Sequence, residues 1–175
     1  LFRSPAMPDR VCLDNLVFMH RIATGNVSSL LLWLVYWWAT EPEAVGRVRD
    51  LPPARRREGI DAFLSEALRL SQSEYLYRRV TEDFTFEGFR FPRGWMVRSC
   101  TWESHRFDSP LPAAEEFRLR MAPGDFDRAH YAPFGMDRHA CNGVDVNHAV
   151  CTALLGELAE GFDAQVENAR PFHRE

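Results

Sequence analysis

Apolar positions run almost unbroken from Leu30 to Ala39, through Leu31, Leu32, Trp33, Leu34, Val35, Tyr36, Trp37 and Trp38. That run is well short of the roughly 20 apolar residues a membrane span needs. Upstream, Arg21, Thr24, Asn26, Ser28 and Ser29 interrupt it. The pattern over residues 10–40 therefore predicts a long helix through the middle of a large domain. Asp9, after Pro8, suits its N-cap. Pro42 stops it at Thr40-Glu41 and opens a second helix over 42–51. Pro52-Pro53 breaks that helix, and Arg55-Arg56-Arg57 reads as a basic turn. Ile60, Phe63, Leu64, Ala67 and Leu68 then mark one face of a third helix over 58–70.

From Tyr75 to Trp102 the period changes to that of strands. Phe84-Thr85-Phe86, then Glu87-Gly88, then Phe89-Arg90-Phe91 predicts a tight hairpin. Pro92-Arg93-Gly94 is a second turn leading into Trp95-Met96-Val97. Residues 107–133 are rich in Pro, Asp and Gly and weakly periodic; long irregular segments of this kind in compact domains are usually functional. A last helix spans 144–160, with Gly161 suited to its C-terminal end.

With 175 residues, 46% of them apolar and 26% charged, the chain is one globular domain or part of one. A net charge of −4 argues against a dedicated nucleic-acid binder. All 21 basic residues are Arg and none is Lys, which suggests a GC-rich, bacterial genome. Cys12, Cys100, Cys141 and Cys151 form no C-x-x-C pair, and four scattered thiols suggest a reducing cytosol. Leu1-Phe2-Arg3-Ser4-Pro5 has neither an initiator Met nor a signal-peptide core, so the chain is expected to start inside a longer one.

The candidate chemistry sits in Phe134-Gly135-Met136-Asp137-Arg138-His139-Ala140-Cys141-Asn142-Gly143. A cysteine here lies in a turn just ahead of a helix, where the helix N-terminus and loop amides favour thiolate. Gly143 lets the backbone pass close to a flat, bulky group, and Gly135 allows an unusual turn. Alone, such a cysteine reads as a small buried hydrophobe.

Four signals in order change that reading. Phe134…Cys141-x-Gly143 matches the loop F-x-x-G-x-[HR]-x-C-x-G. Glu66-Ala67-Leu68-Arg69 is an E-x-x-R. Arg78-Arg79-Val80-Thr81-Glu82-Asp83 is followed by Gly88, Pro92 and Gly94. Ala23-Thr24-Gly25-Asn26-Val27-Ser28-Ser29 lies in the long helix, whose exit is Ala39-Thr40-Glu41-Pro42-Glu43. Together they resemble the C-terminal half of the cytochrome P-450 superfamily, a mainly α fold with small β-sheets. The resemblance assigns the I helix to residues 9–41, the J and K helices to 42–70, the β region to 75–102, and the meander to 107–133. The haem-cysteine loop then covers 134–143 and the L helix 144–161.

The resemblance implies haem b as cofactor, with Cys141 as the thiolate ligand of its iron. His139 takes the basic position that contacts a haem propionate. Arg78 takes the other propionate, with Arg79 as the alternative, because adjacent strand residues face opposite ways. Phe134, Gly135 and Gly143 shape the haem pocket. Glu66 and Arg69 lie at i, i+3 and can pair; the family uses this pair to lock the meander, with Arg120 the best third partner and Arg118 the alternative. Around the oxygen-binding part of the I helix, Gly25, Asn26 and Ser28 are the candidate catalytic positions.

Two positions break the pattern. Val27 stands where the family carries an acid and Ser28 where it carries Thr; Ser28 still hydrogen-bonds oxygen or water, but Val27 cannot relay a proton. Asp137 replaces the second Gly of the loop, and Asp tolerates the left-handed conformation better than most residues. It reads as a surface Asp beside Arg138. Met19 to Ala23 and Gln72-Ser73-Glu74-Tyr75-Leu76 are the remaining substrate-facing stretches. The expected protein is a cytoplasmic bacterial monooxygenase acting in biosynthesis on a small organic substrate. O2 is its oxidant, and electrons come from a ferredoxin and its reductase, with Arg128 and Arg138 facing the acidic partner. The missing acid supports an alternative: a peroxygenase, a nitric-oxide-reductase-like enzyme, or a rearrangement or coupling catalyst. The N-terminal half of the fold is expected outside this chain, and no membrane segment is expected within it.

Overall fold

The computed structural model describes residues 8–71, 75–107, 109–122, 126 and 130–167. The chain divides into two compact units, one built from Leu1–Leu64 and Cys141–Glu175, the other from Ser65–Ala140. The architecture is mainly helical with two small antiparallel sheets.

In the first unit, α1 (Asp9–Thr40) is the long helix expected from the apolar run. Its N-cap is Pro8, and Asp9 is the first helical residue, with no side-chain capping bond. Asp9 serves instead as an acid in the positive first turn, which corrects the expected cap. Glu41 ends α1, and Pro42 at the first helical position opens α2 (Pro42–Arg49), which stops two residues before the expected end. The third helix, α3 (Pro53–Ser71), starts at Pro53, so Arg55, Arg56 and Arg57 are helical rather than a turn. Proline presets the helical φ at that start, and Arg55–Glu58 and Arg57–Asp61 pairs span single turns of the helix. The last helix is α5 (Val144–Ala159); Gly161, at φ +140°, supplies the backbone turn after it.

Leu34, Trp38, Val45, Val48, Phe63 and Leu155 are buried in this unit. Trp38 packs on Phe63 with ring centroids 5.1 Å apart. Arg49 crosses over the Trp38 ring and donates to the carbonyls of Leu158 and Phe162 at 3.1 and 2.9 Å and to Asp163 at 2.9 Å. It thereby places a cation on the Leu158 carbonyl in the last turn of α5 and ties down the segment that follows.

The second unit holds the end of α3, the strands and the irregular segment. Strand β1 (Tyr75–Arg79) pairs antiparallel with β4 (Met96–Cys100) in the register Tyr75↔Cys100 to Arg79↔Met96. The hairpin of β2 (Phe84–Phe86) and β3 (Phe89–Phe91) turns through Glu87 at φ 48° and Gly88 at φ 83°, both positive as the tightest hairpins require. Phe84 and Phe91 stack across it at 4.7 Å. The strand region ends at Cys100, because residues from Thr101 coil into α4 (Thr101–Ser104); Trp102 is helical, not extended. Among the described residues of 107–133, turns and bends replace regular structure. Gln72, Ser73, Glu74 and Arg128 lie outside the described residues.

Candidate functional site

Cys141 is exposed, just ahead of α5, and its Sγ accepts a hydrogen bond from the Gly143 backbone N–H at 3.4 Å. Gly143 is the residue before the first turn of α5. Its carbonyl receives both the backbone N–H and the side-chain Nδ2–H of Asn147, each at 2.9 Å, which ties the residue after the cysteine turn to the first turn of α5. A Cβ at Gly143 would come to 3.4 Å from Asn147 Nδ2 and 3.7 Å from the Cys141 sulfur. Both are ordinary van der Waals distances, so a methyl group at this position would touch the sulfur without displacing it.

The approach to the cysteine is a wound loop. Gly135 adopts φ +73°, and a Cβ there would meet the His139 carbonyl oxygen at 2.9 Å, closer than side chains tolerate. Asp137, at φ 51°, does take the left-handed conformation that glycine would favour, and opens a 3-10 turn, Asp137–His139. Phe134 is half-buried, while Arg138 and His139 are exposed. On β1, Arg78 and Arg79 are both exposed, and Arg78 Nη1–H donates to the Tyr77 carbonyl at 2.8 Å. On α1, Gly25, Asn26 and Ser28 are exposed, and Val27 is half-buried.

Within the second unit, Glu66, Arg69 and Arg120 come together in one buried cluster. Glu66 is 0% and Arg69 1% exposed. The Arg69 guanidinium grips Glu66 with two parallel bonds, Nη2–Oε1 at 2.8 Å and Nε–Oε2 at 2.9 Å. Its remaining donors go to the carbonyls of His105, Ala114 and Glu116, so all five N–H groups are used. Arg120 also donates to Glu66 and to the Pro112 carbonyl. Arg118 reaches the same carboxylate through its backbone N–H at 2.9 Å, while its side chain pairs with exposed Glu116. A lysine has three donors on one nitrogen and could not fill this role.

His105, Arg106 and Tyr131 were not legible in the sequence. His105 is 1% exposed, and burial, opposed by the bond to the Arg69 carbonyl and aided by the Arg69 charge, brings its imidazole down to about pKa 4. Arg106 donates to the Leu70 carbonyl at 2.9 Å and lies over the Trp102 ring. Tyr131 O–H donates to the Ser65 carbonyl at 3.0 Å, and burial raises its phenol well above its usual range. A lone histidine at the end of a four-residue helix carries no periodicity or spacing signal.

A single exposed sulfur, already accepting an amide N–H, is the donor set for an iron that arrives with its other ligands in a macrocycle. The cysteine loop thus fits haem.

The family model for cytochrome P-450 matches residues 55–173. Abscisic acid 8'-hydroxylase 1 of Oryza sativa subsp. japonica is 24% identical over 178 residues, covering 90% of this chain and 37% of that protein. Cytochrome P-450 family 716 subfamily AD polypeptide 2 of Citrus sinensis is 35% identical over 154 residues, covering 75% of this chain and 31% of that protein. Among solved structures, CYP109E1 from Bacillus megaterium in complex with corticosterone matches with a TM-score of 0.64 at 23% identity, over 77% of this chain and 34% of that one. At that identity the likeness shows the fold alone. The chain spans 37% of the rice hydroxylase's length, and these two sequence relatives are from plants, so the expectation of a bacterial source gains no support from them. The match from the first turn of α3 to beyond α5 takes in both the buried Glu66 cluster and the cysteine loop, and the chain belongs to the cytochrome P-450 family, whose members use haem.

Proposed function

We propose that Cys141 is the thiolate ligand of a haem and that the whole protein is a monooxygenase of a small organic substrate. O2 is the oxidant, and electrons come from a ferredoxin and its reductase in the cytoplasm. The observation that carries this reading is the exposed Cys141 sulfur, which accepts the Gly143 N–H just ahead of α5. Haem bound through a thiolate supplies an electron-rich iron suited to O–O cleavage. The chain's own residues do the rest. The Gly143 N–H tempers the charge on sulfur, His139 and Arg78 neutralise the propionates, and Ser28 holds oxygen or a water by hydrogen bond.

The names of relatives support the reaction class: abscisic acid 8'-hydroxylase, and taxoid 7-beta-hydroxylase of Taxus cuspidata, 24% identical over 180 residues. Leu13, Val17, Phe18 and Ile22 are exposed on the first half of α1 and line a groove of about 580 Å³. The proposed cover for this apolar face is the N-terminal portion of the same fold. Among the described residues no helix is long and apolar enough to cross a membrane.

The test is the spectrum of the reduced full-length protein with carbon monoxide. A red-shifted Soret band in the wild type, lost in Cys141→Ser, is expected; a band unchanged in the variant overturns the ligand assignment. Val27 favours a second reading, in which the enzyme uses peroxide or catalyses a reaction other than routine O2 activation. Product formation with NADH and redox partners, compared with hydrogen peroxide alone, separates the two.

A further inference from the structure

His105 lies outside the residues assigned above to haem, and its surroundings fix its protonation completely. The Ala132 backbone N–H, which can only donate, points at Nε2 over 3.1 Å. Nε2 must therefore present a lone pair. Nδ1 faces the Arg69 carbonyl oxygen, which can only accept, at 3.3 Å. Nδ1 must therefore carry the proton. The ring is the neutral Nδ1–H tautomer, and both of its polar atoms are spent on backbone.

Its two partners belong to different parts of the second unit. Arg69 lies in the last turn of α3, where carbonyls lack helical donors. Ala132 stands two residues before Phe134, where the cysteine loop begins. The next residue back, Tyr131, stacks on the imidazole at 5.3 Å and is tied by its hydroxyl to the Ser65 carbonyl of α3. Ala132 in turn accepts at its carbonyl from the Gly135 N–H at 3.0 Å, the first bond of the wound turn that includes Gly135. A continuous series of bonds thus runs from the end of α3 through the imidazole lone pair to the entrance of the loop.

We propose that His105 is a positioning residue for the cysteine loop: its Nε2 lone pair latches Ala132 to α3 and so sets the path of the backbone into Phe134-Gly135. The proposal rests on the haem-thiolate reading for its consequence at Cys141, but the latch itself does not need haem.

Two side chains divide the function of the imidazole. In His105→Gln the side-chain oxygen reaches the place of Nε2 and accepts from Ala132, but the bond to Arg69 is lost. In His105→Asn the amide reaches the place of Nδ1 and keeps the Arg69 bond, but leaves Ala132 unpaired. The experiment is amide hydrogen exchange across residues 131–135 in the full-length protein, with the carbon monoxide spectrum recorded on the same samples. We expect Gln to exchange at the wild-type rate and keep the wild-type share of red-shifted band. Asn should exchange about tenfold faster at Ala132, the worth of one buried hydrogen bond, and lose part of that band. A helix-capping role alone gives the reverse order, Asn matching wild type and Gln failing. That order, or equal behaviour of the two variants, overturns the latch. The exchange comparison holds without cofactor, whereas a wild-type protein lacking the red-shifted band overturns the haem reading instead.

Discussion

Arg69 and His105 each hold the other's backbone: Arg69 Nη1–H donates to the His105 carbonyl at 3.1 Å, and His105 Nδ1–H donates to the Arg69 carbonyl at 3.3 Å. One member of the pair is a permanent cation, and the other must stay neutral beside it. The cation is balanced by Glu66, which also receives Arg120 and the Arg118 N–H. Each polar group in this cluster therefore depends on the protonation or charge of the next.

Among the described residues Glu66 is the carboxylate that receives both buried guanidinium groups, so removing its charge takes away the anion they share. Glu66→Gln is expected to cost about 3–5 kcal/mol, the range for breaking a buried ion pair from one side. Arg118→Ala removes only an exposed pair with Glu116 and is expected to cost less than about 1 kcal/mol. Urea midpoints of the two variants, read against wild type, make the comparison. Equal losses would show that Glu66 is not the anchor of the cluster.

Stability should fall on mild acidification because of His105. Its folded pKa, near 4, lies below the free value near 6.5, so the unfolded chain binds the proton first. The stabilisation is complete above pH 6.5 and is lost as pH falls towards 4. Arg69 faces the ring with a positive charge, Glu66 lies beyond it paired to Arg69, and Tyr131 stacks against it as a neutral phenol. Between pH 7 and 5 the expected loss is about 2 kcal/mol. His105→Gln has no imidazole to titrate, so its curve should be flatter by that amount. Parallel wild-type and variant curves would contradict the assignment.

The elements were legible where local chemistry decides them. Pro42 both ends α1 and starts α2, the Glu87-Gly88 turn forms as read, and Asp137 takes the left-handed backbone that its place in the motif demands. Reading failed where tertiary or longer-range pairing decides. The three arginines at 55–57 read as a turn after Pro52-Pro53, whereas α3 already begins at Pro53; Arg55 and Arg57 pair along its surface with Glu58 and Asp61, and Arg56 reaches Glu160. Around the site, motif spacing singled out Cys141, Glu66 and Arg69, but the carbonyls that use the other three Arg69 donors come from residues 36 to 47 positions away. His105 was invisible for the same reason, since its importance lies entirely in what faces it.

Gly135 is expected to resist substitution, because the atom a Cβ would strike is the backbone oxygen of His139 and its φ is +73°. Gly135→Ala should cost about 1–3 kcal/mol and reduce the red-shifted share of the carbon monoxide spectrum. Gly156→Ala, in the interior of α5 with nothing within 4 Å of the new atom, should instead add up to about 1 kcal/mol. Thermal unfolding of both variants reads the difference, and a tolerated Gly135→Ala would mean that the loop can rewind without loss.

Val27 separates the two readings of the reaction. It is half-buried on α1, with Asn26 and Ser28 exposed on either side. Asn26 and Ser28 can orient water, but neither they nor Val27 can release a proton near neutral pH, so a relay through α1 lacks an acid. Val27→Asp supplies one at that position. If the natural reaction uses O2 and is limited by proton delivery, the variant should couple more NADH to product. Val27→Asn is the matched control: it adds polarity and a hydrogen-bonding group of similar size but no titrating proton, so it should leave coupling unchanged. A gain in both variants would trace the effect to water ordering rather than to a proton. No gain in either would place the proton path away from α1 and shift the weight to the peroxide-using reading.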